Sequence, residues 1–241
     1  MRDSFFSPVF LRQTKGVVLM YEVEKELLIR LCQKSNAARQ AALSDELQSR
    51  GIRYENWNNM ALVVPSAAEK VIVLCAHYDA VPGSYGYNDN GMALVTALNL
   101  IHKLPYNVEV VFTNCEEQGG LGAEFYLQHT QKQVVGCVNL DVAGCFDQVY
   151  LDTMNCRAAR SLTNCKQGMM PYSDAHVFAK KGIRSVCLSS GPADTDFRNG
   201  IWQICSTLHN NRNDNNLGLM NFSMIEKVSN EVKNAVKLMA A

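Results

Sequence analysis

No apolar run in the 241 residues approaches the roughly twenty that a membrane-spanning helix requires. No sign of charge prevails, since Lys plus Arg number 23 and Asp plus Glu number 23. Without a positive excess, steering toward nucleic acid or an anionic membrane has no electrostatic basis, and the longest basic run is Lys180-Lys181. The nine cysteines contain no C-x-x-C pair, and their odd number speaks against a disulfide framework. Cys75, Cys115, Cys137 and Cys187 sit in apolar, strand-like stretches and read as reduced, core-facing thiols. The start, Met-Arg-Asp-Ser-Phe-Phe-Ser-Pro, carries an acid and a proline where a secretory leader needs unbroken apolar residues. These absences together lead to the expectation of a cytoplasmic protein. Linkers, repeats and low-complexity tracts are also missing, so one domain over residues 1–241 is expected.

What is present is an alternation of two hydrophobic periods. Residues 17–33 place Val23, Leu27 and Leu31 four apart, the spacing of a helix face, and a second helix over 37–49 ends at Gly51. Short strands over 52–57 and 60–64 flank an Asn58-Asn59 turn. Residues 71–76 form a continuous apolar run, as a strand covered on both faces does, and 108–113, 134–140 and 183–188 read as further strands of the same sheet. A further strand falls over 148–151. Helices follow Asp89 as far as Pro105, follow the Gly119-Gly120 turn, and run from Ser173-Asp174 to Gly182. The last helix opens on Ser223 and Glu226 in capping-box spacing and shows an apolar face of Ile225, Val228, Val232, Ala235, Val236 and Met239. The pattern predicts an α/β fold, a three-layer α/β/α sandwich around a mixed, largely parallel sheet.

In such a sheet the functional crevice lies at the carboxyl ends of the strands. Three of these strands end in ionisable residues: His77 with Asp79, Glu116 with Glu117, and Asp141. Asp89 stands at the start of the next helix, and His209 lies in a polar stretch able to return to the same edge. Residues two apart in a strand share a face, so Asp79 can take the proton of one His77 ring nitrogen and leave the other for a metal. Mixed imidazole and carboxylate ligands suit zinc, with manganese or cobalt as alternatives. A single ion needs three or four ligands. Five with a shared aspartate suggest two ions bridged by a carboxylate and a water. An isolated Glu-Glu pair is ordinarily a solvated loop, but beside this set one member can ligate while the other accepts a proton. His102, His129 and His176 lie in or beside predicted helices and read as structural. Tyr172, Phe178 and Trp202 are candidate walls of a side-chain pocket.

From about Met60 onward the sequence resembles the cocatalytic dizinc aminopeptidases of the aminopeptidase S and aminopeptidase Y type, of which the glutaminyl cyclases are a divergent branch. His77-Tyr78-Asp79 with Gly86-Tyr87-Asn88-Asp89-Asn90-Gly91 is similar to their first metal motif. Thr113-Asn114-Cys115-Glu116-Glu117-Gln118-Gly119-Gly120-Leu121-Gly122 resembles the catalytic Glu-Glu motif, with one extra residue among the glycines. Asn139-Leu140-Asp141 and His209 resemble the remaining ligand positions. The resemblance implies that His77 and Asp141 hold one zinc and Glu117 and His209 the other. Asp89 would bridge them, Glu116 would act as general base, and Asp79 would orient His77. Two departures stand out. Ala175 follows Asp174 where a histidine is usual, and Asn213 and Asp214 fall four and five residues after His209 where an aspartate at four is common.

The resemblance implies two zinc ions and a short peptide substrate with a free N-terminus, cleaved by a metal-activated water. The rivals are a single-zinc glutaminyl cyclase and a non-catalytic relative that retains the fold as a binding module. All seven positions carry the required residue type, which disfavours the second. Oligomeric state, native metal and N-terminal preference have no signature in the sequence.

Overall fold

The computed structural model describes residues 21–170, 172–193 and 212–240. At its centre is an eight-stranded sheet in the order β1-β2-β4-β3-β5-β8-β6-β7. Its strands are β1 Glu55–Trp57, β2 Ala61–Val64, β3 Lys70–His77, β4 Val108–Thr113, β5 Gln133–Leu140, β6 Gln148–Asp152, β7 Lys166–Gly168 and β8 Arg184–Gly191. The middle four, β4-β3-β5-β8, run parallel. β1, β2 and β6 join by antiparallel pairing, and β7 lies parallel to β6.

Among the described residues six α-helices cover the sheet: α1 over residues 21–31, α2 Asn36–Ser49, α3 Met92–Leu100, α4 Leu121–His129, α5 Asp174–Lys180 and α6 Ser223–Ala240. Alternate residues of each parallel strand feed opposite layers. Ile72, Leu74 and Ala76 of β3 join the core beneath α1, α2, α3 and α6, while Val71, Val73 and Cys75 join the one beneath α4 and α5. The fold is therefore the mixed, largely parallel three-layer sandwich that the alternating periods predict.

Local chemistry explains the turns. Asn58 and Asn59 both take positive φ, 51° and 58°, as a tight hairpin between right-twisted strands requires. Gly51 ends α2 at φ 66°. The expected first strand shortens to Glu55–Trp57, because a sheet-edge strand has one partner only. At α6 the capping-box expectation fails: the Ser223 hydroxyl donates to Asn221 Oδ1 at 2.7 Å instead of accepting from the helix. β7 was not expected, because Lys-Gln-Gly carries no apolar signal and is a strand only through its ladder with β6.

The connection from β3 leads to β4 on one side, and that from β4 crosses to β5 on the other. The chain thus changes direction between β3 and β5, and an open α/β sheet has its crevice at such a point. His77 ends β3 and Asp141 directly follows β5.

Candidate metal centre

His77, Asp89 and Asp141 each offer a ligand atom, and these atoms lie within 4.8 Å of one another, all three residues buried. Their closeness has a backbone cause. β3 and β4 stay in register to His77↔Thr113, and the Tyr78 N–H donates to the Thr113 carbonyl at 2.8 Å. That last rung brings Asp79 beside the turn after β4. The Asp79 carboxylate accepts the N–H of Glu116 at 3.1 Å and of Glu117 at 3.3 Å, satisfying two donors at the turn's start. Beyond them Gly119 and Gly120 take φ 95° and 75°, conformations a side chain resists, and carry the chain into α4.

The imidazole lies between these groups at 1% exposure. Its Nδ1 is 3.1 Å from the Asp79 carbonyl oxygen and 3.4 Å from the carboxylate. Asp79 thus reaches the ring by its main chain as well as its side chain, because the carboxylate is shared with the Glu116-Glu117 turn. A proton on Nδ1 leaves the Nε2 lone pair facing Asp89 Oδ1 at 3.1 Å and Asp141 Oδ1 at 3.6 Å. Nε2 has no hydrogen-bond partner of good geometry. One imidazole nitrogen and two carboxylates converging in a buried space form the donor set that zinc favours, and the residues fit such an ion.

Charge in the cluster is one-sided. Burial alone would lower the His77 imidazole, but the carboxylates of Asp141, Asp79 and Asp89 outweigh it and hold the ring well above its usual value. Burial pushes the Glu116 carboxyl up to about 9, against the attraction of His77 and with Asp141, Asp174 and Asp89 adding to the rise. Asp174, buried in α5, rises to about 6 through burial and the fields of Asp141 and Asp79, although it accepts a hydrogen bond from the Thr113 hydroxyl at 2.5 Å.

Glu117 is half-buried and stands outside the three-residue cluster. His209 and Trp202 lie outside the described residues. Tyr172 is 36% exposed at the rim, with its hydroxyl donating to the Gly119 carbonyl at 2.9 Å. Phe178 is no pocket wall: it is fully buried in the core with Tyr126, because it lies on the face of α5 turned to the sheet. Cys115 does not point into the core either; it lies one residue beyond Asn114 in a left-handed turn, half-buried.

Two residues have supporting roles: Arg39 had no motif to announce it, and Asp214 entered only by its spacing from His209. Asp214, buried, accepts the Asn88 N–H at 2.7 Å, the Asp89 N–H at 3.4 Å and the Ser84 hydroxyl at 3.0 Å. It holds the loop that carries Asp89. Arg39 is also buried and donates from Nε and Nη1 to the carbonyls of Tyr78 and Tyr85, fastening the first half of that loop to α2. Its signal was positional: Arg39 occupies the helix stripe of Leu43 and Leu47, four residues ahead of the first.

The family model of peptidase family M28 matches residues 58–226. A vacuolar membrane protease of Candida tropicalis is 33% identical over 102 residues, which are 39% of this chain and 11% of that protein. The chain thus spans about a tenth of the length of the curated relatives it matches. Among solved structures, BSAP, a zinc aminopeptidase from Bacillus subtilis, superposes with a TM-score of 0.58 at 23% identity, covering 73% of this chain and 49% of that one. A glutaminyl cyclase from Porphyromonas gingivalis superposes with a TM-score of 0.67 at 15% identity, covering 90% and 96%. These likenesses establish the fold. The expectation of a cytoplasmic protein is overturned, since the curated relatives are vacuolar membrane proteases. No helix of the described residues is long and apolar enough to cross a membrane. The cysteine argument failed for a physical reason: the eight described thiols are free, and seven are buried, so packing protects them in any compartment.

Proposed function

The chain belongs to peptidase family M28, and on that premise we propose that it is a zinc-dependent aminopeptidase releasing the N-terminal residue of short peptides. The observation that carries this reading is the buried His77–Asp89–Asp141 cluster with Glu116 held next to it by Asp79. In a two-ion arrangement, His77 and Asp141 would hold one zinc, Glu117 and His209 the other, and Asp89 would serve both. Bound zinc supplies a Lewis acid that polarises a carbonyl and acidifies water.

The chain's own residues do the rest. Asp79 fixes the tautomer of His77 and the position of the Glu116 main chain. Glu116 accepts a proton from the attacking water at its carboxylate and passes it to the departing amine. For that it must be ionised. Its value of about 9 reflects burial and the neighbouring carboxylates, only partly offset by His77, and a divalent cation on Asp89 and Asp141 would draw it toward the ordinary range. Tyr172 at the rim, fixed to Gly119, is placed to flank the first side chain of the peptide.

The fold is common to an aminopeptidase and a cyclase, so the test must be chemical. The zinc-loaded protein is given tripeptides beginning with Leu or Gln, and N-acetylated copies, with products read by mass spectrometry. Loss of the first residue from the free peptides, with the acetylated copies intact, is expected. Loss of ammonia from the Gln peptide alone would establish a cyclase instead, and cleavage of acetylated peptides would exclude an aminopeptidase.

A further inference from the structure

The two asparagines that flank Asp89 tie its loop to the loop that carries Asp141. Asn90 Nδ2 donates to the Leu140 carbonyl at 2.8 Å, and the Gly144 N–H donates to Asn88 Oδ1 at 2.8 Å. Leu140 directly precedes Asp141, and Gly144 follows it by three residues, so the two bonds seize the Asp141 turn on either side. Both asparagines are fully buried. Gly144 allows the approach, because a Cβ there would come within 2.2 Å of Met92 Cγ and 3.1 Å of Asn88 Oδ1. Asn88 is fastened in turn through its N–H to Asp214.

Two features set these bonds apart from routine satisfaction of a buried backbone. Asp89 and Asp141 approach the same imidazole nitrogen, at 3.1 and 3.6 Å, and like charges so close in a poorly polarisable interior repel. Loops at strand ends yield readily to such a force. Each asparagine also leaves the other half of its amide without a hydrogen-bond partner, Nδ2 for Asn88 and Oδ1 for Asn90. An unsatisfied buried polar atom is destabilising, so an apolar residue would suit the packing better. Neutral amides add no charge beside Asp89, which a basic or acidic brace would.

We propose that Asn88 and Asn90 are positioning residues, a cross-brace that holds Asp89 and Asp141 at the separation one ion requires before that ion binds. The inference rests on the metal-site reading above. Zinc is titrated calorimetrically into chelator-stripped full-length protein. Asn88→Ala and Asn90→Ala should each weaken zinc binding by about 10–100-fold, the usual effect of losing a group that orients a ligand. Thr96→Ala, which removes a buried hydrogen bond to Met92 in α3, should destabilise the fold and leave zinc affinity unchanged. Asparagine variants that bind zinc as tightly as wild type would overturn the brace alone, while a wild type taking up no zinc would overturn the metal reading and the brace with it. Should both variants fail to fold, wild-type hydrogen exchange decides. The Gly144 amide should exchange slowly in the stripped protein, and protection appearing only after zinc is added would mean that the ion builds the brace.

Discussion

Glu116 and Glu117 are neighbours with separate duties, and a one-atom substitution distinguishes them. Glu116→Gln preserves size and the N–H that Asp79 accepts, and removes the proton acceptor. Turnover should fall by about 10²–10⁴ with zinc content unchanged, the usual contribution of a positioned general base. Glu117→Gln should instead lower affinity for one ion, and added zinc should restore part of its activity. Metal analysis beside turnover reads both. Glu116→Gln losing metal while Glu117→Gln keeps it would exchange the two roles, and activity persisting in both would remove the pair from the mechanism.

Among the elements, β4 carries a carboxylate where a central strand is otherwise apolar. Glu109 is buried; it accepts from the Tyr126 hydroxyl at 2.6 Å and the Ser66 N–H at 3.2 Å, and pairs with Lys132. This ties β4 to α4 and to the segment entering β5, at the opposite end of the strand from Glu116. Lys132→Met should strand the buried carboxylate and destabilise the fold by about 3–5 kcal/mol, as breaking one partner of a buried pair does. Urea denaturation measures it. Zinc affinity of the folded fraction should not change, because β4 is hydrogen-bonded along its length to β3 and β2. A loss under 1 kcal/mol would mean the carboxylate is satisfied without its cation.

For the whole molecule the acidic cluster sets a pH dependence whose sign is unambiguous. His77 is held well above its usual value, and Glu116, Asp214 and Asp174 rise to about 9, 7 and 6, with burial the leading cause for all three carboxyls. Each binds its proton more tightly in the folded chain than in the unfolded one. For the carboxyls the penalty of ionisation appears above the unfolded value and grows as pH rises to the folded one. For His77 the stabilisation is complete below its unfolded value and disappears as pH passes the folded one. Both trends make the chelator-stripped protein more stable near pH 5.5 than near pH 8.5, about where linkage places the window. Zinc-loaded protein should show the reverse, since protons compete for His77 and its carboxylates, and binding should release protons into the buffer. Thermal melts of both forms check this, and a stripped protein that melts higher at the alkaline end would contradict it.

The sequence by itself determined the alternation of layers, because helix and strand periods are written locally and a parallel strand must be apolar on both faces. It also marked the residues that end each strand, since His77, Glu116 and Asp141 break apolar runs by their own chemistry. What local chemistry cannot express is which strand ends become neighbours. The order β4-β3-β5 arises from crossovers spanning dozens of residues, and it alone brings Asp141 to His77. Nor could any window around Arg39 or Asp214 reveal their use. The backbone groups they hold lie more than thirty residues away for one and more than a hundred for the other, so only the closed fold gives those charges partners.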